Sequence, residues 1–197
     1  MPAKRPNPRS IHAFENDEAF ETWLSKNHDR AAEVYLRIYK KSSGVATVSH
    51  TQAVDVALCW GWIDGIRLSH DDESFLQRFT PRRPKSVWSQ INRTRVAQLV
   101  AAGRMTPHGL AHVESAKADG RWQRAYASSS SLVMPADLLA AIQAEPKAQK
   151  TFATLTKQNL FALAFRTTNM KTPAGRKKKI ADLVAMLKRG EMPYPQR

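Results

Sequence analysis

S-F-L-Q-R-F-T-P-R-R-P-K-S-V-W-S-Q-I-N-R-T-R, Ser74 to Arg95, is the stretch from which the rest of the chain can be placed. Its first seven residues read as a strand, with Phe75, Gln77 and Phe79 facing one way and Leu76, Arg78 and Thr80 the other. Pro81 and Pro84 stop that strand and bracket Arg82, Arg83 and Lys85. Proline neither continues a ladder nor sits mid-helix, so a stiff, exposed connector is expected there. A helix over 87–102 follows, with Trp88, Ile91, Val96, Leu99 and Val100 as its apolar positions. No acidic residue occurs between Ser74 and Val113, whereas Arg78, Arg82, Arg83, Lys85, Arg93, Arg95 and Arg104 do. Such one-signed bias points to an anionic partner.

Working outward, Trp62–Ser69 reads as the preceding strand, joined to the first by a turn at His70–Glu73. Asp64-Gly65 is a competing turn signal, but it would leave flanking runs of only two to four residues. Glu33–Lys40 alternates, with Val34, Leu36 and Ile38 predicted inward and Tyr35, Arg37 and Tyr39 outward. Between these strands Ser49 or Thr51 opens a buried helix that Gly61 ends. Asn16 or Asp17 caps an earlier one carrying Phe20, Trp23 and Leu24. After Val87 the signals are helical: 107–118, 135–144, 146–154, 157–168 and 173–189. Several of these begin with proline, whose missing N–H costs nothing in the first turn. The reading is an α+β fold: a small antiparallel sheet packed with helices, then a helical C-terminal region. Its expected divisions are a flexible basic arm at 1–13, an α+β domain at 14–127 and a helical region at 132–197, with Ser128–Ser131 as linker.

The chain has 197 residues, 42% of them hydrophobic, with five tryptophans, which excludes a disordered polypeptide and allows a real core. No apolar run is long enough for a membrane span, and the basic N-terminal residues lack the apolar segment of a secretory signal. A cytoplasmic protein is expected. Cys59 is the single cysteine, so neither an internal disulfide nor a cysteine-built metal site is expected. The formal net charge is +14. Residues 1–13, 74–113 and 166–189 together hold 18 cations against Asp182 alone, so the rest of the chain, with 13 cations and 16 acids, is slightly negative.

The motifs G-W-I-D-G (Gly61–Gly65), Q-R-F-T-P-R-R-P-K-S (Gln77–Ser86), W-S-x-I-N-R (Trp88–Arg93) and G-R-M-T-P (Gly103–Pro107) resemble the YdeI/OmpD-associated, or bacteriocin-protection, family. A-K-A-D-G-R-W at Ala116–Trp122 and the closing run from Arg176 to Glu191 extend the likeness over nearly the whole chain after the arm. The resemblance implies a bacterial protein linked to tolerance of bacteriocins or cationic antimicrobial peptides, with stress response as its setting and a porin partner suggested by the family's name. It brings neither catalytic residues nor a cofactor.

Two functional readings follow. In the first the protein is non-enzymatic and binds a polyanion (nucleic acid, polyphosphate or an anionic membrane surface) through Arg78, Arg82, Arg83, Lys85, Arg93, Arg95, Lys177 and Lys178. Arginine forks suit phosphate, and Trp88 offers either a stacking platform or, by its spacing with Ile91, a core residue. The four cations Arg176–Lys179 crowd the first turns of their helix, where the dipole disfavours them unless salt or a bound anion answers the charge. In the second reading the protein is a small-molecule enzyme or sensor whose pocket gathers Trp60, Trp62, Asp64, Arg67, Arg78, Trp88 and Asn92. An ion pair of Asp64 with Arg67 or Arg78 competes with its use as a base. His108 and His112 have a metal-clamping i, i+4 spacing without a third ligand, and Asp71-Asp72-Glu73 would suit Mg²⁺ but equally serves a solvated turn. No nucleophile elbow, Walker loop or dinucleotide fingerprint is present. No metal or cofactor is expected.

Overall fold

The computed structural model describes residues 6–126 and 133–196. Two compact units divide at Ala125/Tyr126. The expected Ser128–Ser131 linker lies outside the described residues.

The first unit is built on a four-stranded sheet of order β1-β2-β4-β3, formed by β1 (Ile11–His12), β2 (Val34–Tyr39), β3 (Trp62–Ser69) and β4 (Ser74–Pro81). β2, β4 and β3 pair antiparallel, as the alternation and the turn at 70–73 predict. β1 corrects the reading of the first thirteen residues as a flexible arm. Asn7 caps a 3-10 turn at Pro8–Ser10, and Ile11-His12 then pairs parallel with Tyr35-Leu36, which makes the sheet mixed. Val34, Leu36 and Ile38 stand opposite Phe79, Gln77 and Phe75, and this face receives the helices. The outer face is not simply solvated: Tyr35, predicted outward, is 5% exposed and Leu76 3%.

Two helices lie on the inner face, α1 (Asp17–Asn27), capped by Asn16, and α2 (His50–Cys59), opened by a Ser49–Gln52 capping box, and α3 (Gln90–Ala101) packs against α2. α3 starts later than expected, because the Ser89 hydroxyl accepts from the Asn92 N–H and sets the cap there. Trp88 therefore belongs to the preceding loop, and Ile91 and Val100, expected in the apolar stripe, are each 50% exposed. Val96 and Leu99 supply the buried face. The loop Arg82–Ser89 is also less exposed than its prolines suggest, since the Arg82 side chain is buried.

α4 (Pro107–Ala118) meets the end of α2 directly. Thr106 donates both its hydroxyl (2.6 Å) and its N–H (3.2 Å) to the Cys59 carbonyl, and the same hydroxyl caps Gly109. Gly109 has no Cβ because one would overlap the Cys59 carbonyl. Gly61, at φ +72°, then turns the chain from α2 into β3. Cys59 itself is buried, which pushes its thiol up to about 11.

The second unit contains α5 (Ala136–Gln143), α6 (Pro146–Ala153), α7 (Lys157–Thr168) and α8 (Pro173–Lys188). Leu138, Ile142, Ala148, Leu155, Leu163, Leu183 and Leu187 form its separate core. Among the described residues no helix is long and apolar enough to cross a membrane.

Replacing Gly109 by Ala is expected to destabilise the first unit by about 2–3 kcal/mol, because backbone rather than a movable side chain occupies the space. Urea unfolding checks this; a loss below about 0.5 kcal/mol would mean that α4 can retreat from α2 freely.

Candidate anion-binding surfaces and the inner-sheet polar cluster

Folding divides the eight expected anion-binding residues into two groups. Arg78 lies on the outer face of β4 and pairs with Glu33 at 2.7 Å. Arg95 projects from α3 to Asp55 on α2 at 2.6 Å. Arg82 lies over the Trp88 ring, its Cζ 3.7 Å from the centroid, and is 4% exposed. These three serve the fold. Arg83 and Lys85 are exposed, and no ion pair joins either to an acid among the described residues. Arg93 is half-buried, 5.4 Å from the Trp122 ring centroid, and Trp122 meets Trp88 edge-on at 4.9 Å. Arg82, Trp88, Trp122 and Arg93 thus form one cluster, two edge-on rings with a cation against each. Trp88 is committed to this cluster and, at 2% exposure, presents no platform to solvent.

In the second unit Lys177 and Lys178 are exposed on the second turn of α8. Arg176 beside them grips Asp137 through two bonds of 2.7 and 2.8 Å and donates to the Thr167 carbonyl at 3.0 Å. The guanidinium holds the Asp137 carboxyl below its usual range. An open cleft of about 430 Å³ lies here, lined by Asp137, Pro173, Arg176, Lys177 and Ile180. Between Val133 and Gln196 the sequence has eleven Lys/Arg and four Asp/Glu, a balance of 11 − 4 = +7. Asp137, Glu145 and Glu191 are already bridged to Arg176, Lys188 and Arg189, so little acid remains to answer the lysines.

The expected pocket residues are not gathered into one site. Asp64 stands opposite Phe79 on the inner face, while Arg78, one residue along β4, points to the other face. Trp62 is buried, donates its indole N–H to the His28 carbonyl at 3.3 Å and meets Trp23 edge-on. Trp60 packs against the rings of His28 and His108, whose centroids are themselves 4.1 Å apart. Asn92 gives its backbone N–H to the Ser89 cap. Asp64 and Arg67 do share a neighbourhood, the β-bulge between them. There Gln77, 2% exposed, donates to the Gly65 carbonyl at 2.9 Å and replaces the ladder bond lost to the bulge. Arg67 reaches back to the Gln77 carboxamide oxygen and lies 4.2 Å from the Phe75 centroid.

Sequence reading missed His50, whose Nε2 is 3.9 Å from the Asp64 carboxylate. Burial lowers its pKa; Asp64 raises it, and Arg67 and Arg95 lower it further. The net shift is downward, which favours the neutral imidazole and a polar contact with Asp64. Nothing local in S-H-T-Q marked this residue, since the bulge that brings Asp64 to it depends on strand register. His112 is packed against Gly61 and is also held low, first by burial and then by Arg82 and Arg121. Among the described residues no three His, Cys, Asp or Glu side chains come together as a metal site.

Residues 12–112, about half of the chain, match the family model described as a domain of unknown function (DUF8412). The chain belongs to that family. Residues 131–190 match a second model, described as "Bacteriocin-protection, YdeI or OmpD-Associated". The C-terminal part of this DUF8412 family member is thus a YdeI/OmpD-associated domain, as the resemblance implies. The two matches divide the chain: the motifs between Gly61 and Pro107 fall in the DUF8412 part, and the closing run from Arg176 falls in the YdeI/OmpD-associated domain. No curated protein and no solved structure matches the chain.

Arg82→Ala is expected to cost about 2 kcal/mol of stability in urea unfolding and to alter tryptophan emission, whereas Arg83→Ala should stay within about 0.5 kcal/mol. A second expectation concerns His112, whose pKa is depressed in the folded state. Its contribution to stability is complete above the ordinary imidazole value of about 6.5 and is lost as pH falls through the lower folded value. His112→Gln should flatten the decline of stability on that acid side; an unchanged profile would assign the decline to other groups.

Proposed function

We propose that this protein is a non-enzymatic binder of polyanions that acts in tolerance of bacteriocins or cationic antimicrobial peptides. The observation that carries the reading is the separation of its cations into two groups. Where an arginine has an internal task, an acid or an aromatic ring meets it: Glu33 for Arg78, Asp55 for Arg95, Trp88 for Arg82, Asp137 for Arg176. Arg83 and Lys85 in the first unit, and Lys177 and Lys178 in the second, have exposed side chains without such a partner among the described residues. Unanswered like charges on a surface raise the local concentration of anions and bind phosphate polymers with little sequence preference. The protection named in the description of the C-terminal domain's family is then an indirect one. A surface of this sign repels a cationic peptide and engages the anionic structures that such peptides attack.

A second reading rests on the His50–Asp64 contact, flanked by Arg67 and Arg95, as a small-molecule site of an enzyme or sensor. Small acids raising the thermal midpoint of the unsubstituted chain, but not of Asp64→Asn, would favour it.

Fluorescence anisotropy of labelled single-stranded DNA and RNA across a salt series tests the first reading. Arg83→Ala/Lys85→Ala and Lys177→Ala/Lys178→Ala leave the internal arginines in place. Each pair is expected to flatten the log–log salt slope by roughly 1.4, as removal of two phosphate contacts does on a single strand. Absence of binding at low salt, or slopes unchanged in both variants, would overturn the polyanion reading.

A further inference from the structure

Beyond the basic surfaces, the second unit has a polar arrangement in which side chains hold the main chain of a distant segment. Asn159, in the first turn of α7, is 1% exposed. Its side chain accepts from the Tyr194 N–H at 2.8 Å and donates to the Tyr194 carbonyl at 3.0 Å. A single buried carboxamide thus reads both main-chain groups of one residue, as a neighbouring strand would. Two residues on, the Gln196 carboxamide does the reverse. Its oxygen accepts from the Thr156 N–H and from Asn159 Nδ2, and its nitrogen donates to the Thr154 carbonyl at 3.1 Å. The turn between α6 and α7 therefore has its open main-chain groups satisfied by the segment Met192–Gln196. α7 correspondingly lacks a side-chain cap of its own at Thr156.

The segment is held by these polar bonds more than by burial. Tyr194 is 43% exposed, Pro195 is exposed, and Met192 is the residue packed on the core. Pro193 and Pro195 carry no N–H, which leaves the Tyr194 N–H as the donor between them, and the chain bends at Pro193-Tyr194. Gly190, at φ +76°, turns the chain out of α8 ahead of it. Segments with exposed bonds and few apolar contacts open most readily. Opening the segment would hand the Asn159 carboxamide and the Thr154 and Thr156 main-chain groups to water, and an equivalent peptide would restore the bonds that the segment makes.

We infer that the Asn159–Thr156 groove is a peptide-binding site, occupied in cis by Met192–Gln196. Its partner in trans is a proline-bracketed peptide, bent as Pro193-Tyr194 is, with a glutamine two residues after the residue that Asn159 holds. Recognition runs through the main chain at the first position and through the carboxamide at the second, with the flanking prolines setting the backbone between them.

The test uses the full chain and a labelled hexapeptide, E-M-P-Y-P-Q, corresponding to Glu191–Gln196. Gln196→Ala loosens the cis segment and leaves the groove intact, so it is expected to bind the peptide about tenfold more tightly than the unsubstituted chain does. A control peptide with glutamate in place of the glutamine cannot donate to Thr154 and should bind at least about tenfold more weakly. Circular dichroism establishes that Gln196→Ala is folded, so the comparison of the two peptides does not depend on a destabilised groove variant. The proposal is overturned if folded Gln196→Ala binds neither peptide, or both equally. It is also overturned if light scattering finds a dimer that Gln196→Ala dissolves, for the groove would then serve a second copy of this chain.

Discussion

The Cys59 carbonyl, taken by both the hydroxyl and the N–H of Thr106, is the junction on which the first unit depends. The last carbonyls of a helix have no partner within it, and a buried helix end must find one elsewhere. Here the cap residue of α4 supplies it, so one threonine ends α2 and begins α4. Gly109 lets the two backbones touch, and Gly61 sends the chain into β3 at the same place. The position of β3, and with it the bulge at Asp64, follows from where that junction sets the end of α2.

Charge is handled differently in the core-facing and solvent-facing parts of the same basic sequence. The run without acids from Ser74 to Val113 is not without acids in space. Asp55 and Glu33, from distant elements, meet Arg95 and Arg78, and Asp17 and Glu21 approach Arg104 at 3.7 and 3.9 Å. Half-exposed pairs of this kind contribute modestly to stability, on the order of 0–1 kcal/mol each. Their larger effect is to fix where positive charge remains available. A one-dimensional count of cations overstates the surface charge of the segment and misplaces its centre.

The α+β class was legible because local and long-range signals agreed: alternation in β2 and β4, the turn at 70–73, and Ser49, Thr106 and Thr172 at helix starts. Departures arose where a tertiary partner decided the outcome. Ile11-His12 is too short to announce a strand and becomes one because the edge of β2 is open to it. Trp88 had helical spacing with Ile91, but the Ser89 cap one residue later excluded it from the helix. Arg82 looked exposed between prolines because cation–ring packing has no sequence period. The candidate sites divide the same way. Exposure of Lys177 and Lys178 follows from the apolar stripe of α8 formed by Ile180, Leu183, Val184 and Leu187. The meeting of His50 with Asp64 depends on a bulge, and the hold of Asn159 on Tyr194 joins residues 35 apart.

The single thiol has a consequence for the environments in which this fold persists. Cys59 lies in the core at the α2–α4 junction, and its raised ionisation keeps it a neutral thiol at ordinary pH. Thiolate is the form that attacks disulfides and peroxides. With neither the charge nor the exposure for that chemistry, and no second cysteine in the chain, no internal disulfide takes part in holding this fold together.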